Sequence, residues 1–427
     1  MEDKRSLEKS LALFVQGLDC IYSLVQYYDE GSGEHVTGRY PRFIQSGKGT
    51  HIYDVDGNEY IDFDMGLGPI ILGYCYEAVD KAVAVQLGQG MHFTLVSPQE
   101  VEYAQMLQKH IPCAGKVRFF KTGSSACEAA IRTARAYTGK KHMIRGDYHG
   151  WHEWTIAAEG VRQGGILPEV RQYTHRCRYN ALSQFEEVFA QFPGDVAAVM
   201  LEPLIIEEPQ DNFLQNLQDL CRHNGALLIF DEVVTGFRFD IGGAQRVLGI
   251  TPDLAVFGKG AANGMPLSFV CGKKEILDSV EQEVYFFTTF SGERLSLAAG
   301  MAVLRELETK SVTEKIWAIG SELKTRVNEM AQRLGVRIEL LGTAPRLAFV
   351  FRDRQGRFDT TLKNIFMQEC IKRGVFLGWT VFPCFAHSRE DIATALTVFE
   401  DAMKICQKHQ NAADEAVAAW LSWGRKQ

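Results

Sequence analysis

A lysine set between two glycines closes a short apolar run, Leu254-Ala255-Val256-Phe257-Gly258-Lys259-Gly260. Preceded by Pro252 and followed by glycine, the run reads as a buried strand of a parallel sheet. Ligands of open α/β sheets lie beyond the carboxyl ends of the strands, which is where this lysine falls. A lysine is seldom fully buried unless it is paired or at work. Lys259 is therefore a candidate for an amine that condenses with a carbonyl cofactor in a desolvated site. The alternative is a strand-end lysine reaching solvent.

Three further features raise the first reading. Lys121-Thr122-Gly123-Ser124-Ser125-Ala126-Cys127-Glu128 follows one apolar strand pattern and opens a helical one. Glycine permits the tight turn, and free N–H groups with hydroxyls then face an anion at the positive helix end. An ordinary capped helix has the same look, with Glu128 in its first turn. Tyr148-His149-Gly150-Trp151-His152 places an aromatic just past another strand, where it can stack on a planar ligand or simply pack. His149 and His152 lack the helical spacing of a metal pair. Asp231 ends the very apolar run Leu227-Leu228-Ile229-Phe230, and a carboxylate there needs a partner. A protonated pyridine nitrogen is one, since keeping it charged makes the ring an electron sink; a salt bridge or a helix cap is the alternative. Val233 stands where it can pack on a ring face. Asp231 and Lys259 are 28 positions apart, about one βαβ unit, so neighbouring strand ends can present both to one ring. Anion cradle, aromatic, acid and lysine, in that order, fit pyridoxal phosphate better together than singly.

The elements that must position these groups alternate between strand and helix. Candidate strands are Val117–Lys121, His142–Arg145, Val196–Leu201, Ala226–Asp231, Leu254–Phe257 and Leu267–Val270, with helical patterns such as Ser125–Tyr137 and Phe213–His223 between them. This alternation implies a mostly parallel sheet covered by helices. Upstream, apolar spacing predicts a helix over Ser6–Tyr28, broken by Gly31-Ser32-Gly33. A hairpin is expected over His51–Phe63 around Asp56-Gly57-Asn58, with Asp56 and Asp62 in turn and surface roles. Gly66-Leu67-Gly68-Pro69 reads as a loop, and Glu77 to Leu87 as a helix. Long helical patterns run from Leu297 to Leu334, with Gly335 as a stop. The tail mixes strands (Arg346–Phe351, Val375–Leu377) with helices (Thr361–Arg373, Arg389–His409). A smaller α+β domain after about residue 305 follows, with the first ~60 residues packed against it because chain ends often lie close.

Composition sets the class. The 427 residues exceed one ordinary core. Hydrophobic residues make up 46% and charged residues 23%, as in soluble globular proteins, and a net charge of −7 disfavours nucleic acid as a partner. No apolar stretch is long enough to span a bilayer, and the charged start Met1-Glu2-Asp3-Lys4-Arg5 is not followed by a signal-peptide core. Ten scattered cysteines with no C-x-x-C pair indicate reduced, buried thiols and a cytoplasmic protein.

The order and spacing of these stretches resemble the class III aminotransferases of pyridoxal-phosphate fold type I, and among them the glutamate-1-semialdehyde aminomutase branch. The family's Asn-Ser-Gly-Thr-Glu-Ala cradle is matched by Lys121-Thr122-Gly123-Ser124-Ser125-Ala126, its Tyr-His-Gly by Tyr148-His149-Gly150, and its Glu-Pro by Glu202-Pro203. Its Asp-Glu-Val is Asp231-Glu232-Val233, its lysine strand Phe257-Gly258-Lys259-Gly260, and its Thr-x-Ser-Gly Thr289-Phe290-Ser291-Gly292. The resemblance implies a large domain over 71–305 with a mostly parallel seven-stranded sheet, and a small domain from residues 1–70 and 306–427. It implies that Lys259 carries the Schiff base and moves the proton, and that Asp231 pairs with the pyridine nitrogen. Tyr148 and Val233 would sandwich the ring, Gly123 and Ser124 hold the phosphate, and Glu202 lie near the reacting face. Thr289 would reach the phosphate of the other subunit, which makes a homodimer with shared active sites.

The expected activity is transfer of an amino group from a small-molecule donor to a carbonyl acceptor in specialised biosynthesis: an amino sugar, a polyketide-type carbonyl or a β-amino acid. An intramolecular aminomutase is the alternative. Two departures bear on it. The branch's Ser-Trp before Gly-Pro is here Gly66-Leu67, and its C-terminal Phe-Glu-Ala is Phe382-Pro383-Cys384. Arg39, Arg42 and Arg346 are candidates to grip a substrate carboxylate.

Overall fold

The structure is a computed structural model that describes residues 5–22, 40–158 and 163–424, without the side chains of 413–424. The chain divides into two compact units. Gly68–Ile71 and Glu77–Thr313 form one, and Met1–Leu67, Leu72–Tyr76 and Glu314–Gln427 the other.

The second of these begins with helix α1 (Glu8–Leu18). The Asp56 carboxylate accepts from Lys9 N (2.8 Å) and Ser10 N (3.0 Å), which places an anion at the positive end of the helix. The helix expected to run to Tyr28 is broken by a turn before Ser23; Ser23 to Tyr28 and the Gly31–Gly33 break lie outside the described residues, as does Arg39. Strands β1 (Ile44–Lys48), β2 (His51–Asp54) and β3 (Glu59–Asp62) form an antiparallel meander. The β2–β3 hairpin is the expected one, its turn held by Asp54 Oδ1, which accepts from Asp56 N (3.0 Å) and Asn58 N (2.8 Å). Asp62 is not on the surface as expected. It is buried and accepts from the Tyr74 hydroxyl (2.7 Å) and Asp64 N (2.7 Å), which ties down the loop after β3.

In the larger unit, α2 (Glu77–Leu87) and α3 (Pro98–His110) precede a run of alternating elements. These are β4 (Lys116–Phe120), α4 (Gly123–Thr138), β5 (His142–Arg145), the single-turn helices α5 (Glu153–Ile156) and α6 (Pro168–Arg171), β6 (Thr174–Arg176) and α7 (Leu182–Gln191). There follow β7 (Val196–Leu201), α8 (Phe213–His223), β8 (Leu227–Glu232), α9 (Ala244–Leu248), β9 (Leu254–Phe257), a 3₁₀ turn over Lys259–Ala262, β10 (Ser268–Gly272), α10 (Lys274–Ser279) and α11 (Arg294–Thr309). The sheet is seven-stranded in the order β4-β10-β9-β8-β7-β5-β6. β5 to β9 are mutually parallel, and β10 runs antiparallel to both β9 and β4. β4 therefore points the same way as the other five, and the carboxyl ends of β4, β5, β7, β8 and β9 lie along one rim. β6, a Thr-His-Arg edge strand, has no apolar run to announce it.

α4 shows why this layer is tight. Its inward face is Ala126, Cys127, Ala129, Ala130, Ile131 and Ala134, packed with Met143, Ala198, Ile229, Val256 and Val270 of the sheet. Small side chains let the helix axis approach the strands, so its N-terminus is fixed relative to their ends. Gly139, with φ +67°, terminates it by returning its N–H to Arg135 O (2.9 Å).

After α12 (Val312–Leu334), the chain adds β11 (Ile338–Thr343), β12 (Arg346–Phe351), α13 (Thr360–Lys372), β13 (Val375–Phe376), β14 (Thr380–Val381) and α14 (Arg389–Gly424). β13 pairs in parallel with β3, and Tyr60, Ile61 and Phe63 share one apolar core with Phe349, Phe366 and Phe399. The two chain ends thus build one unit. Among the described residues no helix is long and apolar enough to cross a membrane.

Candidate active site on the rim of the large sheet

The register of the sheet brings the acid and the lysine onto neighbouring strands. Asp231 of β8 lies opposite Val256 of β9 and Glu232 opposite Phe257, with Lys259 two residues further on. Lys259 is half-buried and has φ +39°, in the left-handed region that a side-chain-bearing residue enters at a cost of about 1–3 kcal/mol. Such strain at a strand end, flanked by Gly258 and Gly260, marks a residue held in place by its surroundings.

Asp231 is 4% exposed. Its Oδ2 lies 2.6 Å from His149 Nδ1 and 3.7 Å from Cys127 Sγ, and its Oδ1 accepts from Val233 N (3.0 Å). The His149 side chain is fully buried and lies parallel to Trp154, at 4° and 6.2 Å between centroids. Burial, and then the neighbouring Asp231 charge, push the Cys127 thiol well up, so it stays protonated.

The anion cradle is built from two strand ends. First-turn N–H groups of a helix have no carbonyl partner within it. Thr122 caps α4 by accepting from Ser125 N (3.2 Å), and its carbonyl is held by Ser268 Oγ (2.7 Å). The turn after β5 presses on the same helix end. Gly150 has φ +97°, a Cβ there would overlap the Ser124 hydroxyl, and Trp151 N reaches Ser124 Oγ at 3.3 Å. A Cβ on Gly123 would come 3.2 Å from Val233 Cγ2, so cradle, Val233 and the Asp231 strand meet in one place.

Gly123, Ser124, Tyr148, Glu202, Asp231, Val233 and Lys259 therefore all lie on the same rim. Tyr148 is 55% exposed beside buried His149, and Glu202 is buried just past β7. Thr289 is not delivered by a strand end. It is exposed on the segment between α10 and α11, which is pinned beside β4 and α4 by three cations. Arg118 donates to Phe286 O (2.6 Å), Arg132 to Tyr285 O (3.1 Å), and Lys121 pairs with Glu293 (2.8 Å). Sequence reasoning did not pick out His149 and Cys127 as neighbours of Asp231. His149 sits inside a recognised motif, but its partner is 82 residues away and no local pattern announces the contact. Arg42 lies over the Phe14 ring at 4.0 Å and Arg346 opens β12.

The donor set suits a planar ligand with an anionic end and a cationic ring atom. A helix N-terminus with hydroxyls takes the anion, a buried carboxylate takes the cation, and an amine stands at the adjacent strand end. The fold is that of the pyridoxal-phosphate enzymes of fold type I. The FumI protein of Sphingopyxis sp. MTA144, solved in a PLP internal aldimine form, superposes with a TM-score of 0.87 at 27% identity, covering 94% of this chain and 97% of that one. A family model described as aminotransferase class-III matches residues 33–403, and the chain belongs to that family. It is similar to 3-aminobutyryl-CoA aminotransferase of Cloacimonas acidaminovorans (strain Evry), at 31% identity over 96% of this chain and 100% of the relative. It is also similar to glutamate-1-semialdehyde 2,1-aminomutase of Syntrophomonas wolfei subsp. wolfei, at 36% identity over 86% of this chain and 91% of the relative. The cofactor is pyridoxal 5′-phosphate.

Proposed function

We propose that the protein is an aminotransferase that passes an amino group from a small-molecule donor to a carbonyl acceptor. The observation that carries this is the rim itself, where Lys259 follows the strand beside the one that ends in buried Asp231. Bound pyridoxal phosphate supplies an electron sink for the charge left when a donor carbon loses its proton. The first-turn N–H groups of α4 and the Ser124 hydroxyl would bind the phosphate. Asp231 Oδ would pair with the ring nitrogen, while Tyr148 and Val233 would hold the two ring faces. Lys259 Nζ would tether the coenzyme and, as a free amine, would serve as base and then as acid toward the donor's proton. Glu202 would border the reacting face.

The same reading makes the protein a cytoplasmic homodimer in which Thr289 completes the partner's phosphate site. Support comes from an apolar surface beside Thr289. Tyr285, Phe287 and Phe290 are exposed, as are Met91, Phe93, Leu95 and Val96, and the two stretches are joined by Arg294 N to Met91 O (2.8 Å). A contiguous apolar patch of this kind marks an interaction surface. Sedimentation at enzyme-assay concentrations should give a dimer, and a monomer with full activity overturns this part. Among the substrate classes open to such an enzyme, β-amino compounds and the β-oxo compounds related to them are favoured by the full-length likeness to a 3-aminobutyryl-CoA aminotransferase.

An intramolecular aminomutase is the second reading, favoured by the named aminomutases among the relatives. Against it stand Gly66-Leu67 and Phe382-Pro383-Cys384, which lack an indole and a carboxylate. One experiment separates the two. An amino donor should bleach the visible absorbance of the holoenzyme, and a separate oxo acceptor should restore it. Product formed from a single substrate with no co-substrate establishes the aminomutase instead, and no response to a broad donor panel sinks transamination. Lys259→Ala should abolish turnover while the fold persists.

A further inference from the structure

One of the cations that pin the segment carrying Thr289 also opens the anion cradle. Lys121 follows β4 and precedes Thr122, the residue that caps α4. Its Nζ lies 2.8 Å from Glu293 Oε2, with the two side chains 19% and 15% exposed. Glu293 is itself the cap of α11: Oε1 accepts from Leu295 N (2.5 Å), and Oε2 from Ser296 N (3.2 Å) and Ser296 Oγ (2.8 Å). Burial works against the Glu293 charge, but Lys121 and Ser296 hold its carboxyl below the ordinary value. Thr289-Phe290-Ser291-Gly292 runs directly into Glu293, whose N–H returns to Phe290 O (3.2 Å). The other side of this turn is closed. A Cβ on Gly292 would come 2.5 Å from Glu100 Oε1, and Arg294 donates through N to Met91 O (2.8 Å) and through Nε to Gln99 Oε1 (3.0 Å). The turn after Thr289 is therefore wedged against α3 on one side and hooked to the cradle by a charge on the other. The motif that the cradle resembles has a neutral Asn where Lys121 stands, so the hook is a departure from it.

We infer that Lys121 and Glu293 are a positioning pair that holds the turn presenting Thr289 at a fixed place relative to the α4 cradle, and so sets how tightly a phosphate-bearing ligand is taken. The inference rests on the reading that Thr289 completes the partner's phosphate site. Both residues act through Thr289, and the site they serve is the partner's.

The test compares pyridoxal phosphate with pyridoxal, which lacks the phosphate, as ligands of the full-length protein freed of cofactor. The measured quantity is the ratio of the two affinities. Thr289→Ala should lower that ratio about tenfold, as expected for losing a hydrogen bond to a charged group. Lys121→Met and Glu293→Gln should each lower it up to about fivefold, the range of a part-exposed ion pair; the glutamine keeps an acceptor for the cap of α11. The double variant Lys121→Met/Glu293→Gln should lower it no further, because the second change meets an interaction already broken. Lys121→Met added to Thr289→Ala should likewise change nothing more. The sign at Glu293 is decisive. If the two side chains acted only through their charge near the cradle, removing the acid would strengthen phosphate binding while removing the lysine weakened it. Opposite signs therefore overturn the inference, as do affinities for both ligands that fall in parallel with the ratio unchanged. An effect of Thr289→Ala with none from Lys121→Met overturns the pair alone. No effect of Thr289→Ala overturns the reading beneath it, and the pair with it. If Glu293→Gln does not fold, Lys121→Met with and without Thr289→Ala carries the comparison.

Discussion

Two carboxylates stand side by side at the end of β8, on opposite faces of the sheet, and they have been put to opposite uses. Glu232 is spent on the protein itself. It accepts from Ala244 N (2.8 Å), Gln245 N (2.9 Å) and the Thr235 hydroxyl, and so caps α9. Asp231 caps nothing; its donors come from a strand neighbour, an imidazole and a thiol. Burial raises the Glu232 carboxyl to about 7, against the lowering effect of Thr235 and the two backbone amides. Two buried carboxylates thus differ in which donors surround each: Glu232 is committed to the fold, and Asp231 is the one proposed to face the ligand.

Substitutions should separate the two faces. Asp231→Asn is expected to have the largest effect, lowering turnover on the order of a hundredfold or more while the melting temperature of the apoenzyme stays near that of the unmodified protein. A large loss of stability with unchanged turnover in the folded fraction would reverse the assignment of faces. Glu232→Gln should do the opposite. The new amide meets a donor where it needs an acceptor, so denaturant unfolding should register a loss of about 1–3 kcal/mol, with pyridoxal phosphate affinity kept. Gly150→Ala tests the rim on the Asp231 side. Its side chain collides with Ser124 in a left-handed turn, at a cost of about 1–3 kcal/mol, and phosphate-bearing ligands should weaken more than pyridoxal, which lacks the phosphate.

A further effect is one of pH. A carboxyl whose folded value is raised binds its proton more tightly in the native state, so its contribution to stability falls as pH rises from the ordinary value near 4.5 to about 7, then levels off. Subtracting the Glu232→Gln stability curve from that of the unmodified protein should leave this falling slope. A flat difference would mean that the donors around Glu232 offset its burial and leave the carboxyl at its ordinary value.

Much of this could be read before the fold was seen. Apolar runs bounded by turn residues locate β5, β7 and β9 to the residue, because buried parallel strands write their burial into every position. β6 escaped because an edge strand of three residues carries no such run. α3 carried a signal in its capping box, Ser97 to Glu100, that was passed over. At the site, residues delivered by strand ends were legible through their spacing. His149 and Cys127 were not, since each meets Asp231 only in the folded chain, across 82 and 104 residues of sequence. The split of Asp231 from Glu232 was equally invisible: adjacent acids in one string look alike until their donors are known.

The reversed direction of β10 has one more effect. Because β9 and β10 are antiparallel neighbours, with Phe257 opposite Phe269, the chain from Gly258 to Ser268 leaves the sheet and re-enters it beside itself without crossing to another layer. Lys259 is therefore moored fore and aft to the two strands, and its short loop is held while they stay paired. Backbone amides from Gly258 to Ala262 should be among the last to trade their hydrogens for deuterium, making the lysine proposed to carry the coenzyme one of the stillest points in the molecule.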